Sequence, residues 1–487
     1  PAQLIQYTQS TAGEYRSFYK RNSHDKRFRD LRKNTFSNLI FMKKTKLLLL
    51  AFIAAWIATN ARAQSAFSME EAVDYAIKNH ASVKNALVGM QDAELQIKEI
   101  KYAGMPQING QFAFTYNAIV PTSVLPANSF NPQAPEGEIT KVRFGVPWGG
   151  QAGVGINQLI FDATWLVGLR AADTYRKMAA QEMEKSKVDI AENVKKAYYS
   201  VLVAEQRALI FDLNIERLDT AIMQTEQYFK QGFVEKIDID RLNVQRNNLV
   251  TEKQKINNLI QLTYQLLKFQ MSYPIEQKLS LRDKLNIDTV KLLRSVVVDD
   301  VNPSNRIEFS QIETSRKLTS LNIERIQKGI FPSVAFNGSL GAGHGNPVFN
   351  PFERWFPSSA LTLAVRIPIY DSGVRKVQME RQRLNLIKLD NGVEMLKESF
   401  RLQNEQAKTN LKNGFESLDV QSRNMDLAQE VLKVSKIKYL QGVGSNLEVV
   451  NAESDLKQAQ NNYFSALYDV LIAKVDLDKA QGKLIKQ

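Results

Sequence analysis

The chain has 487 residues and no cysteine, which excludes disulfides, thiolate metal sites and a cysteine nucleophile. Its three histidines, His24, His80 and His344, are too scattered for a histidine metal cluster. The net charge of +13 invites a nucleic-acid partner. Residues 1–63, however, carry 12 Lys/Arg against 3 Asp/Glu, which leaves +4 for the other 424 residues and no electrostatic reason to expect nucleic acid.

Residues 1–41 precede a methionine that can open a reading frame, and read as an overextended start outside the fold. Residues 42–63 read as a signal peptide. Lys43, Lys44 and Lys46 form its basic end, and Leu47–Ala58 is an apolar run shorter than the ~20 residues a spanning helix needs. Ala61-Arg62-Ala63 is a cleavage site, so the mature chain is expected to start at Gln64.

The next segment is helical up to Pro106. "QINGQFAFTYNA" then alternates, with Ile108, Phe112, Phe114 and Tyr116 on one face and Asn109, Gln111 and Thr115 on the other. Residues 119–150 are rich in Pro, Asn and Gly and read as an exposed loop. "GVGINQLIF" is a weaker strand with Val154, Ile156 and Ile160 on one side. Asp162 is then placed to cap a helix.

No proline lies between Pro147 and Pro274 or after Pro368, so long helices can run in both gaps. A helix over 164–231, with apolar residues at three- and four-residue spacing such as Ile190, Val194, Ala197 and Val201, would be about 100 Å long. Such a length, with so many charges, points to a coiled coil rather than a membrane span. Residues 272–302, with "YP" and "NP" breakers, read as a linker.

The second half repeats the first. "KGIFPSVAFNGS" at Lys328 matches "AGMPQINGQFAF" at Ala103: a helix ends, a proline follows, a strand begins. "SALTLAVRIPIY" alternates with Leu361, Leu363 and Val365 on one face. "IPIYDSGVRKVQME" matches "LIFDATWLVGLRAA", with Asp371 in the place of Asp162 as the expected cap. Residues 344–358, including His344, read as a loop, and His80 as a helix-surface residue. The Gly-rich stretch Gly338–Gly345 lacks the Lys-Ser/Thr of a phosphate loop and reads as a strand end. The domain reading is a first repeat over 64–271, the linker over 272–302 and a second repeat over 303–487.

Each alternating segment is about as long as a tilted membrane strand, and fits either an outer-membrane barrel wall or a half-buried strand of a soluble sandwich. Four strands cannot close a barrel, and open edges are not tolerated in lipid, so a membrane role requires several copies to pool their strands.

This ordered, duplicated set of elements across Phe67–Lys483 resembles the TolC-like outer-membrane factors of efflux pumps and type I secretion. The helical turns match as well: a Gly, a carboxylate six residues on, then an aliphatic, as Gly232/Asp238/Ile239 and Gly442/Glu448/Val449. The resemblance implies a mainly α fold with a small membrane β part. Duplicated β-hairpin/α-hairpin units would form a homotrimer, its β-barrel in the outer membrane continuous with a long periplasmic α-helical barrel. It implies a passive conduit for export from a Gram-negative periplasm, working with a periplasmic adaptor and, through it, an inner-membrane pump. Gly232, Asp238, Gly442 and Gly444 would lie at the periplasmic tips where the adaptor docks, and Glu448 would contribute to an acidic entrance ring. Read from the residues alone, both acids are sufficiently explained as the starts of returning helices. The chain departs from the family in carrying Gly444 where an Arg can lock the closed tip, and Asn451 where a second acid can stand. Arg241 and Lys236 are the nearby substitutes. No catalytic constellation, metal or cofactor is expected. The alternative reading is a soluble periplasmic coiled-coil scaffold.

Overall fold

A computed structural model describes residues 66–285, 290 and 302–485. The expected signal peptide, the segment 1–41, the start at Gln64 and much of the 272–302 linker lie outside the described residues. In the first half, α1 (Met69–Asn79) and α2 (Ala81–Tyr102) lead into β1 (Gln107–Tyr116). Then come β2 (Thr122–Pro126), β3 (Ile139–Arg143), β4 (Trp148–Phe161), α3 (Ala163–Lys230) and α4 (Lys236–Met271). The second half has α5 (Ile307–Lys328), β5 (Ser333–Asn346), β6 (Phe356–Arg366), α6 (Val374–Leu440) and α7 (Asn446–Ala480).

The long helices bury stripes with a seven-residue repeat. In α3 these are Ile190, Ala197, Ala204, Phe211, Leu218 and Thr225; in α4, Leu242, Leu249, Ile256 and Thr263. In α6 they are Val393, Phe400, Ala407 and Gly414; in α7, Val449, Leu456, Tyr463, Val470 and Leu477. A seven-residue period keeps one seam facing its partner only if the helices supercoil left-handedly. Gly414 allows a close approach of α6 and α7: a Cβ there would sit 3.0 Å from Val470 Cγ2. No helix among the described residues is long and apolar enough to cross a membrane.

Asp162 caps α3 as expected, accepting from the Thr164 and Trp165 amides at 2.7 and 3.1 Å. Asp371 does not occupy the matching position. Gly373, at φ 82°, is the first capping residue of α6. The Asp371 carboxylate reaches past it to the Gly373 and Arg375 amides at 3.2 and 3.3 Å and to the Arg375 guanidinium at 2.5 Å. The two-residue insertion Ser372-Gly373 moves the helix start while the acid keeps its work. His80 is likewise not a plain surface residue: it stands in the break between α1 and α2, and its Nδ1 accepts from the Ser82 amide at 3.1 Å.

The main sheet is antiparallel in the order β1-β4-β5-β6. Its register places Ile108 opposite Ile156, Phe112 opposite Ala152, Val154 opposite Leu340 and Phe336 opposite Leu363. One face is therefore mainly apolar, with Gln158, His344 and Ser359 among its few polar residues. The other carries Asn109, Gln111, Gln151, Asn157, Asn337, Ser339 and Thr362, interleaved with glycines. Phe112, Leu361 and Leu363 are 70, 79 and 65% exposed, so the described residues leave much of the apolar face uncovered. Among the described residues, no strand pairs with the outer edges of β1 and β6.

The strands extend further than their alternation suggests. β5 continues to Asn346, so His344 is a strand residue, 6% exposed, with Trp355 stacked over it at 5.5 Å and its Nδ1 facing the Arg354 carbonyl at 3.2 Å. The expected loop over 344–358 shrinks to the residues between β5 and β6. The loop over 119–150 contains the β2–β3 hairpin and ends where β4 begins at Trp148.

A charge network joins α3 to α7. Lys479 donates to Glu192 at 2.5 Å and Asp189 at 3.2 Å, and Lys196 meets Glu192 at 2.8 Å and Asp476 at 2.6 Å. Burial would raise the Glu192 carboxyl, but hydrogen bonds from Lys196 and Lys479 outweigh it and hold it below its ordinary 4.5. A carboxylate depressed in the folded chain contributes its stabilisation fully above the unfolded value and loses it as pH falls through the folded one. Glu192→Gln is therefore expected to lower the melting temperature at pH 7. Melting curves at stepped pH should show this difference from wild type shrinking below about pH 4.5.

Candidate functional site: the paired hairpin turns

The α3–α4 and α6–α7 turns are built alike. α3 ends with Gly232 at φ 78°, which an L side chain resists, and the Gly232 and Phe233 amides close onto the Phe229 and Tyr228 carbonyls, each at 3.0 Å. The Tyr228 and Phe233 rings meet edge-on at 6.4 Å. α6 ends with Gly442 at φ 76°, and the Gly442 and Val443 amides close onto the Tyr439 and Lys438 carbonyls, each at 3.1 Å.

The returning helices differ in how they start. In α4 the Asp238 carboxylate reaches back to the Glu235 amide at 3.4 Å and lies 3.8 Å from Arg241. In α7 the cap is Ser445, whose Oγ accepts from the Glu448 amide at 3.2 Å, so the Glu448 carboxylate is left exposed to solvent. Asp238 is thus engaged by its own turn, while Glu448 faces solvent. Gly444 has a local reason as well: a Cβ there would lie 2.8 Å from Lys438 Cβ and 3.2 Å from the Lys438 carbonyl carbon. A long side chain at this position would push the turn open. Arg241 reaches Asp238 in its own helix, and Lys236 is exposed beside it.

The two turns are clasped by a residue with no sequence signal. Asn446, 4% exposed, donates from Nδ2 to the Asp238 backbone carbonyl at 2.8 Å, joining positions 208 residues apart. A cleft of about 740 Å³ opens between the turns, lined by Tyr228, Phe233, Asp238, Arg241, Tyr439 and Gly442 among others. The structure therefore brings Gly232, Asp238, Gly442, Gly444 and Glu448 into one region. Asn446→Ala would leave the Asp238 carbonyl without its donor, at a cost of about 1 kcal/mol, and free the turns from each other. Hydrogen exchange should then quicken at the Phe233 and Asp238 amides while the α6–α7 core keeps its protection.

Residues 304–483 match the family model for outer membrane efflux protein. Outer membrane protein TolC of Vibrio cholerae is 19% identical over 447 residues, covering 91% of this chain and 97% of that protein. The chain is thus similar, over most of its length, to TolC-like outer membrane efflux proteins. TolC of Escherichia coli is 21% identical over 310 residues, 61% of this chain and 62% of that protein. Among solved structures, CusC superposes with a TM-score of 0.67 at 14% identity, covering 85% of this chain and 92% of the other. The outer membrane protein VceC of Vibrio cholerae gives 0.63 at 13% identity, covering 85% and 96%. The expected fold class, mainly helical with a small strand part, is the TolC-like fold, shared with solved outer membrane channels.

Proposed function

We propose that the chain is the outer-membrane conduit of a tripartite efflux or type I secretion machine, working as a homotrimer. One observation carries this reading: a four-stranded sheet, apolar on one face and amide-lined on the other, with both edges open. Lipid satisfies the apolar face, and further copies satisfy the edges. Three copies would supply twelve strands, enough for a wall around a passage. The helices ask for the same neighbours, since Val420, Leu427 and Val434 form an exposed stripe at seven-residue spacing on α6. A soluble scaffold would leave Phe112, Leu361 and Leu363 in water.

In this reading the first and second repeats each contribute one strand pair and one helical hairpin. The turns at Gly232 and Gly442, with Asp238 and Gly444, form the periplasmic end that receives an adaptor, and three Glu448 carboxylates form an acidic entrance. The channel does no chemistry of its own, and its energy comes from an inner-membrane pump joined through the adaptor. The chain has no cysteine, so single cysteines can be introduced cleanly at Phe233 and Val443, both 74% exposed. A heterobifunctional reagent, with a maleimide for the introduced thiol and an activated ester for a lysine amine, added to cells should join both positions to a periplasmic adaptor identified by mass spectrometry. A cysteine at Phe352, in the loop between β5 and β6, should give no such adduct. Adducts absent at both turns, or equal at Phe352, would overturn the docking assignment.

A further inference from the structure

We propose that Arg366 is a charge filter of the passage and that it favours anionic solutes; this rests on the conduit reading. β1, β4, β5 and β6 contain no Asp, Glu or Lys, and Arg366 is their one arginine. The register fixes its side. Leu361, Leu363 and Val365 share the apolar face with Phe336 and Val334, so Thr362, Ala364 and Arg366 take the opposite face, with Arg366 opposite Ser333. Arg366 therefore belongs to the amide- and glycine-lined surface, at the strand end that leads to the helices. It is exposed.

Among the described residues, no carboxylate pairs with it. The acids nearest in the chain are engaged elsewhere: Asp371 holds Arg375 at 2.5 Å, and Asp162 caps α3. Any β1 strand that pairs with the open edge of β6 brings none, since Lys101–Tyr116 contains no Asp or Glu. His344, the other basic side chain in these four strands, lies on the apolar face beneath Trp355. The remaining lining is Asn109, Gln111, Gln151, Asn157 and Asn337, neutral amides that recognise no charge. An uncompensated guanidinium from each copy, around a neutral wall, attracts anions and repels cations; rings of Arg or Lys select anions in pores for this reason. A guanidinium also matches phosphate and carboxylate geometry, so the favoured class is solutes bearing those groups. The exposed Glu448 at the other end has the opposite preference, which gives the passage two filters in series.

The test uses the mature full-length chain in phosphatidylcholine planar bilayers under a KCl gradient. Three unit charges about 10 Å from the ion path change the anion-to-cation permeability ratio roughly fourfold at about 0.1 M salt, and have little effect near 1 M, where the Debye length is about 3 Å. Arg366→Gln should shift the reversal potential toward cations by that factor at low salt, and Arg366→Lys should keep the wild-type value. On the wild-type chain, inorganic tripolyphosphate should reduce the conductance at low salt, which tests the site even if Arg366→Gln fails to assemble. Channels whose selectivity is the same in wild type and Arg366→Gln, or an absence of tripolyphosphate block in wild type, would overturn the filter and leave the conduit standing. No channels from the wild-type chain would instead overturn the conduit.

Discussion

Gly341→Val is expected to abolish assembly of the strand wall. Gly341 pairs with Gly153 across β5 and β4, and a Cβ on it would lie 2.7 Å from the Ala152 carbonyl oxygen and 3.3 Å from Gly153 Cα. Both obstacles are backbone, so neither can rotate away. The facing position is as tight, since a Cβ on Gly153 would meet the Leu340 oxygen at 3.0 Å. Either the two strands separate and lose their ladder there, or β5 slips by one residue and turns its apolar residues to the wrong side. Overpacking in a well-packed site costs about 1–3 kcal/mol, and a ladder break between buried strands adds to that. Outer-membrane fractions should hold little of the variant, with the chain degraded or aggregated. Ser339→Val, two residues away on the same face and exposed, should accumulate as wild type does.

Leu467→Asp is expected to unfold the second helical hairpin. Leu467 is fully buried between α6 and α7, in a core that includes Leu411, Phe415, Leu418, Val470 and Leu471. The change removes about 1.5–3 kcal/mol of apolar burial and places a carboxylate in an apolar core, costing several kcal/mol more. Leu467→Ala should cost about 2–5 kcal/mol and leave a destabilised but folded hairpin. Leu427→Asp is the informative partner. Leu427 is 64% exposed in a single chain, so the substitution should leave the chain folded and act only where copies meet. Thermal melts followed by helix content, alongside oligomer state in mild detergent, separate the two effects.

The long helices were legible because two proline-free stretches bound them and the apolar period continues through both. The turns were legible because a glycine that must take positive φ stands at the same place in each half, at Gly232 and Gly442. The four strands were legible from alternation, but their ends were not. The glycines around His344 read as a loop, whereas in the fold they let β4 and β5 pack closely. The β2–β3 hairpin was hidden because "TSVLP" and "ITKVR" are short and flank a stretch rich in Pro, Asn and Gly. Asp371 failed as a helix-start marker because two inserted residues separate it from the helix it serves. Asn446 carried no signal at all: its partner is a backbone carbonyl on the other repeat, and no local pattern encodes a contact across 208 residues. The reason for Gly444 was equally remote from sequence logic, since it lies in the backbone of Lys438.

The most direct test of the conduit is to separate inner and outer membranes on a sucrose gradient and probe each fraction for the mature chain after salt and alkaline washes. A strand wall held in lipid requires the chain to stay with the outer membrane through both washes. Its release as a soluble periplasmic protein would contradict the conduit, and would leave a coiled-coil scaffold whose apolar sheet face is covered by something other than lipid.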